Sequence, residues 1–107
     1  MIQFRSANPA TGETLATFDG HAEADVDAAL AAAERAVEAL AELGVEGRLA
    51  ALRRAAAVLE DRKPALAEMM TAEMGKPIAQ AEAEIDKCAW VCRHYADTAG
   101  AVLEGEP

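Results

Sequence analysis

Aromatic side chains are scarce in this sequence: they make up 4% of 107 residues, with one Trp, one Tyr and two Phe. A core without aromatics forgoes the side chains that bury the most area, so the expected core is thin. Positive charge is also short. Ten basic residues against nineteen acidic ones leave a net charge of −9, a field that repels phosphate backbones and anionic lipid and argues against a nucleic-acid-binding role. No apolar run approaches the roughly 20 residues that cross a bilayer. No basic, apolar, small-residue leader of the secretory kind opens the sequence, so cytoplasmic residence is the expectation. The seven glycines match no phosphate-cradling spacing after a strand, and no nucleotide site is assigned on that basis. The two cysteines, Cys88 and Cys92, stand four apart in a helical pattern, a geometry that disfavours a disulfide.

What is present is alanine, which favours helix strongly and buries little area per residue. The hydrophobic fraction of 52% suits one globular domain, and a chain of this length is expected to bury roughly two-thirds of its unfolded surface. Ile2-Gln3-Phe4-Arg5-Ser6 alternates apolar and polar residues. Asn8-Pro9 and Thr11-Gly12 carry turn chemistry, and Thr14-Leu15-Ala16-Thr17-Phe18 returns as a strand. The pattern predicts a hairpin over 2–19 followed by four helices over 24–103. A two-stranded hairpin is barely stable alone, so this one must lie on helices or on a sheet that the chain lacks.

The first helix is expected from about Ala24 to Glu42, with a narrow seam of Val26, Leu30, Ala33, Val37 and Leu40. Glu23, Asp25 and Asp27 suit its positive end, yet no Ser, Thr, Asp or Asn takes the cap, so fraying is expected there. Gly44 and Gly47 bracket the link to a second helix over about 47–62, with seam residues Leu49, Leu52, Ala56 and Leu59. A third helix over 64–74 is expected to bury Leu66, Met69 and Met70. Gly75 closes it, because glycine accepts the left-handed conformation of a C-terminal cap. Lys76 is placed at the negative end of that helix dipole. Pro77 opens the longest helix, whose stripe runs Ile78, Ala81, Ile85, Cys88, Cys92, Tyr95, Ala99 and Val102. Glu104-Gly105-Glu106-Pro107 reads as a polar tail.

Candidate chemical groups are few. Cys88 and Cys92 read as small buried thiols on the seam, and His94 lies off their face, so no metal set forms. His21 and His94 stand alone, without an arranged carboxylate or nucleophile, and read as surface residues. Glu82 and Asp86 carry like charge four apart and read as a solvated face. Trp90 is more informative, projecting away from the stripe of its helix. Either it lies flat in a surface groove beside Arg93 or His94, or the far face of the helix is covered by something that the chain does not encode. The second reading is preferred, which makes Trp90 an interface residue and, in isolation, a self-association site.

The run AEMGKPIAQAEAEIDKCAWVCRHYAD resembles the N-terminal part of the NAD(P)-dependent aldehyde dehydrogenases, and among them the succinate-semialdehyde dehydrogenase branch. Asn8-Pro9-Ala10-Thr11-Gly12-Glu13 is similar to that family's first hairpin, and Asp25-Val26-Asp27-Ala28-Ala29 to the opening of its first helix. The resemblance implies the helical N-terminal segment of the α/β cofactor-binding domain, mostly α with an N-terminal hairpin and without the central sheet. It also implies an oxidoreductase that converts an aldehyde to a carboxylate. In that reaction a thiolate attacks the carbonyl, hydride passes to NAD or NADP, and water activated through a glutamate hydrolyses the thioester.

The thiolate, that glutamate, the oxyanion-stabilising asparagine and the dinucleotide-binding residues have no counterparts among these residues. Catalytic and cofactor-binding residues are therefore set at none, no cofactor is expected on this chain alone, and the chain alone is expected to be inactive. The resemblance further implies a monovalent cation near the hairpin, held by the backbone carbonyls of Ser6 and Ala7 and by Glu73. Oxygen donors of that kind suit a hard cation. The expected partner is the remainder of the enzyme, itself a homo-oligomer, or a second copy of the chain. The alternative is a free-standing helical interaction module derived from such an enzyme.

Overall fold

The computed structural model describes residues 2–105, and the last two residues of the tail lie outside it. Two strands come first, β1 (Gln3–Ala7) and β2 (Thr14–Asp19). They pair antiparallel, with Phe4 opposite Phe18 and Ser6 opposite Ala16, and the register shifts between Ser6 and Ala7. The turn is built as its residues dictate. The Asn8 side-chain oxygen accepts the Ala10 N–H at 2.8 Å, the Gly12 N–H returns to the Asn8 carbonyl at 2.7 Å, and Gly12 takes a φ of 78°.

Four helices follow: α1 (Glu23–Glu42), α2 (Gly44–Asp61), α3 (Lys63–Met74) and α4 (Ile78–Leu103). The expected hairpin and four-helix order is the order observed. Three local expectations need correction. The start of α1 is tied rather than frayed: Asp25 Oδ2 accepts the Ala22 N–H at 2.9 Å, and the Ala22 carbonyl takes the Asp25 N–H at 3.0 Å. An acidic residue three positions into the helix thus supplies half of a capping box without a capping side chain. Helix α2 begins at Gly44 rather than Gly47, because a φ of 65° at Gly44 turns the chain within one residue. Gly47 lies inside the helix, where a Cβ would stand 3.0 Å from that of Leu43. In α3 the buried residue is Ala67, and Met69 faces out.

Helix α4 is the wall on which the bundle is built; α2 packs along it most extensively and α3 next, while α1 meets α2 only slightly. The buried residues are small: Ala56 and Leu49 from α2, Ala67 from α3, and Ala81, Ile85, Ala89 and Ala96 from α4. Alanines at the crossings let helix axes approach closely. The predicted stripe of α4 holds in part: Ala81 and Ile85 are buried and Cys92 and Ala99 half-buried, whereas Ile78, Cys88, Tyr95 and Val102 are exposed. The predicted stripe repeats every seven residues, and on a straight helix such a stripe drifts by about 20° per heptad. By Tyr95 and Val102 it has rotated off the face that α2 and α3 cover, and alanines hold that face instead.

The molecule is extended. Its radius of gyration is 18.4 Å, against about 13 Å for a compact domain of this length. Its accessible surface is 8253 Å², against about 5,700 Å² for a compact monomer of 11.2 kDa. The fraction buried on folding is therefore about half rather than the expected two-thirds.

Candidate functional site

The hairpin is tied to the helices at the end of α3. Strand β1 meets the C-terminal end of α3, where the Ser6 hydroxyl donates to Glu73 Oε1 at 2.7 Å. A Cβ on Gly75 would sit 3.3 Å from Pro9 Cγ, so glycine serves twice there. It accepts the φ of 74° that ends α3, and it leaves room for the hairpin turn. Two of the residues assigned to a cation by resemblance, Ser6 and Glu73, are thereby brought into contact, and Ala7 follows Ser6 at the register shift. Lys76, expected at the α3 dipole, reaches forward instead and pairs with Glu84 on α4. Among the described residues no basic side chain neutralises Glu73. The contact joins the carboxylate to the Ser6 hydroxyl, whereas the expectation rested on the Ser6 and Ala7 backbone carbonyls, and Glu73 is exposed. No group of three or more His, Cys, Asp or Glu side chains gathers among the described residues.

The second locus is the outer side of α4. Trp90 is 61% exposed and stacks on His94, with ring centroids 5.3 Å apart and planes inclined by 21°. His94 meets the edge of Tyr95 at 5.2 Å. The His94 ring beside the indole matches the groove reading of Trp90, and most of the indole is exposed. The His94 ring serves as a packing surface. His21 is exposed beside Ile2, Phe4 and Asp25, in an open groove where the hairpin meets the start of α1.

Ion pairs lace the inner side of α4 to its neighbours. Arg53 Nη2 donates to the Ala96 carbonyl at 3.0 Å and to Asp97 Oδ1 at 3.2 Å. Lys63 Nζ reaches both oxygens of Asp86, at 3.1 and 3.2 Å. Asp86, expected to be solvated beside Glu82, is therefore engaged. Arg93 grips Glu60 with both terminal nitrogens, and the Glu60 hydrogen bond, then its charge, raises the Arg93 pKa above the ordinary guanidinium range. Exposed pairs of this sort contribute little stability each. Cys88 and Cys92 are both free, with Cys88 exposed and Cys92 half-buried. The expected buried pair of thiols is corrected by the same rotation that moved the stripe. Sequence reasoning also missed the inter-helix partners of Lys63, Lys76 and Arg93, because a charge names no partner until helices are placed.

Comparison with known proteins adds an independent line. The aldehyde dehydrogenase family profile matches residues 2–107. A probable NADP(+) succinate-semialdehyde dehydrogenase of Synechocystis is 46% identical over 99 residues, which is 92% of this chain and 22% of the relative. An NADP(+) succinate-semialdehyde dehydrogenase of Mycobacterium tuberculosis is 43% identical over 100 residues, 94% of this chain and 22% of the relative. An NAD(P)+ succinate semialdehyde dehydrogenase of Escherichia coli is 39% identical over 102 residues, again with 22% of the relative covered. The chain thus spans about a fifth of the length of the curated relatives it matches.

Proposed function

Because this chain belongs to the aldehyde dehydrogenase family, we propose that it serves as the N-terminal structural segment of an NAD(P)-dependent enzyme that oxidises an aldehyde to a carboxylate. Succinate semialdehyde is the proposed substrate, on the strength of the succinate-semialdehyde dehydrogenases it is similar to. The observation that carries the structural role is the surface left uncovered. Helix α1 has no buried residue along its 20 positions, and the accessible area exceeds that of a compact monomer by about 2,500 Å². A helix with an apolar seam and nothing against it has little reason to persist by itself, since most helical stability comes from packing. The outer side of α4, with Trp90 and Tyr95 exposed, calls for a covering body in the same way.

In this reading the reactive thiolate, the glutamate that activates water and the dinucleotide site belong to the rest of the polypeptide. These 107 residues carry no catalytic or dinucleotide-binding group. They hold the hairpin, and with it the oxygen donors of Ser6, Ala7 and Glu73, against the cofactor-binding domain, where a monovalent cation steadies the junction. The experiment is a mixing assay with the complementary segment of a succinate-semialdehyde dehydrogenase. The expected result is no NAD binding and no turnover by the chain alone, and NAD(P)-dependent oxidation of succinate semialdehyde on mixing. A calorimetric NAD titration that saturates at micromolar chain would overturn the reading. So would binding of an unrelated protein through the Trp90 face with no gain of dehydrogenase activity on mixing.

A further inference from the structure

Helix α1 carries more information about its missing neighbour than its exposure alone. Its seam is uncovered: Val26, Leu30, Val37 and Leu40 are between 49% and 66% exposed, and Ala33 lies between them. At roughly 100° per residue, Glu23, Asp27, Glu34 and Glu38 fall together along one flank of that seam. The opposite flank holds Ala29 and Ala36, which leave room for close approach. None of the four carboxylates has an ion-pair or side-chain hydrogen-bond partner among the described residues, whereas Asp25, off this rail, is spent on the helix cap. The basic residue of α1, Arg35, lies on the far side. An apolar seam with an acidic rail on one side and small residues on the other defines a partner by complementarity.

We propose that α1 docks on an apolar ridge of the same enzyme's remaining polypeptide, flanked on one side by a row of Lys or Arg that meets Glu23, Asp27, Glu34 and Glu38. The proposal rests on the scaffold reading above and names the chemistry of one of its contacts. A second copy of α1 is a poor occupant, because antiparallel pairing sets the two acidic rails against each other, and parallel pairing faces each rail with alanines. The chain's overall charge of −9 opposes self-association further.

The test uses the 107-residue chain and two synthetic helical peptides with the same leucine stripe, one flanked by a lysine row and one by a glutamate row. Fluorescence anisotropy of the labelled peptides at low ionic strength is expected to show at least tenfold tighter binding of the lysine peptide, with the preference shrinking as salt is raised. The variant combining Glu23→Gln, Asp27→Asn, Glu34→Gln and Glu38→Gln is expected to lose the preference. Val37→Asn is expected to weaken both peptides. Circular dichroism reports whether each variant keeps its helices. Equal affinities would overturn the proposal. Lysine-peptide binding unaffected by Val37→Asn would also overturn it, showing attraction to an acidic chain and no seam. A chain that sediments as a dimer, returned to monomer by Val37→Asn, would assign the seam to a second copy and overturn it too.

Co-expression with the remainder of the Synechocystis relative reads the source of the ridge, with α1 amides expected to exchange at least tenfold more slowly in the complex. Co-purification with α1 amides still fast would overturn the assignment to the enzyme's own body. Failure to co-purify counts against the scaffold reading, while the peptide pair still decides the charge complementarity.

Discussion

Gly75 shows how much one residue can hold in this chain. Its φ of 74° ends α3, and the space where a Cβ would stand is taken by Pro9. Gly75→Ala is expected to destabilise the chain by about 1–2 kcal/mol through the left-handed backbone alone, and by more than Gly44→Ala, where a Cβ meets open space. Paired urea titrations followed by circular dichroism measure the difference, and equal costs would deny the Pro9 contact. Residue exposure also separates the predicted α4 stripe from the observed one. Cys88→Ser, at an exposed position, is expected to change stability by less than about 0.5 kcal/mol. Ala89→Leu, at a position 1% exposed, is expected to cost about 1–3 kcal/mol by overpacking. A reversed order in the same titrations would restore the heptad stripe.

At the level of elements, the hairpin and α1 are the parts least supported by the chain itself. The hairpin depends on its seat at the end of α3, and the link there from Ser6 to Glu73 is the polar part of that seat. Ser6→Ala is expected to cost at most about 1 kcal/mol, with the loss local: amide exchange of Phe4 and Phe18 quickens while that of Ala89 and Ala96 does not. Uniform acceleration would mean that the hairpin and the bundle unfold together. Both the hairpin and the four helices were legible beforehand, because alternation, turn residues and helical spacing are local signals. Of the face that α4 buries, Ala81 and Ile85 were legible and Ala89 and Ala96 were not. Its large apolar residues mark a drifting line, and alanine, which fills the true contact, carries almost no pattern of its own.

For the whole molecule, the excess of exposed surface is the main physical fact. An isolated chain of this shape is expected to bind a hydrophobic dye such as ANS. Its Trp90 emission is expected to be red-shifted and readily quenched by acrylamide, then to shift blue and resist quenching when the complementary enzyme segment is added. A blue-shifted, protected indole in the chain alone would contradict the exposure of α4 described above.

The order of elements, the turn at Asn8–Gly12, the Gly75 cap and the likeness to aldehyde dehydrogenases were all determined by the residues themselves, since each depends on neighbours close along the chain. The contact of Ser6 with Glu73, the reach of Lys76 to Glu84, the alanine seam of α4 and the isolation of α1 were decided only by tertiary structure. They join residues far apart in sequence, or concern a surface left bare, and a bare surface exists only once the helices have been set against one another.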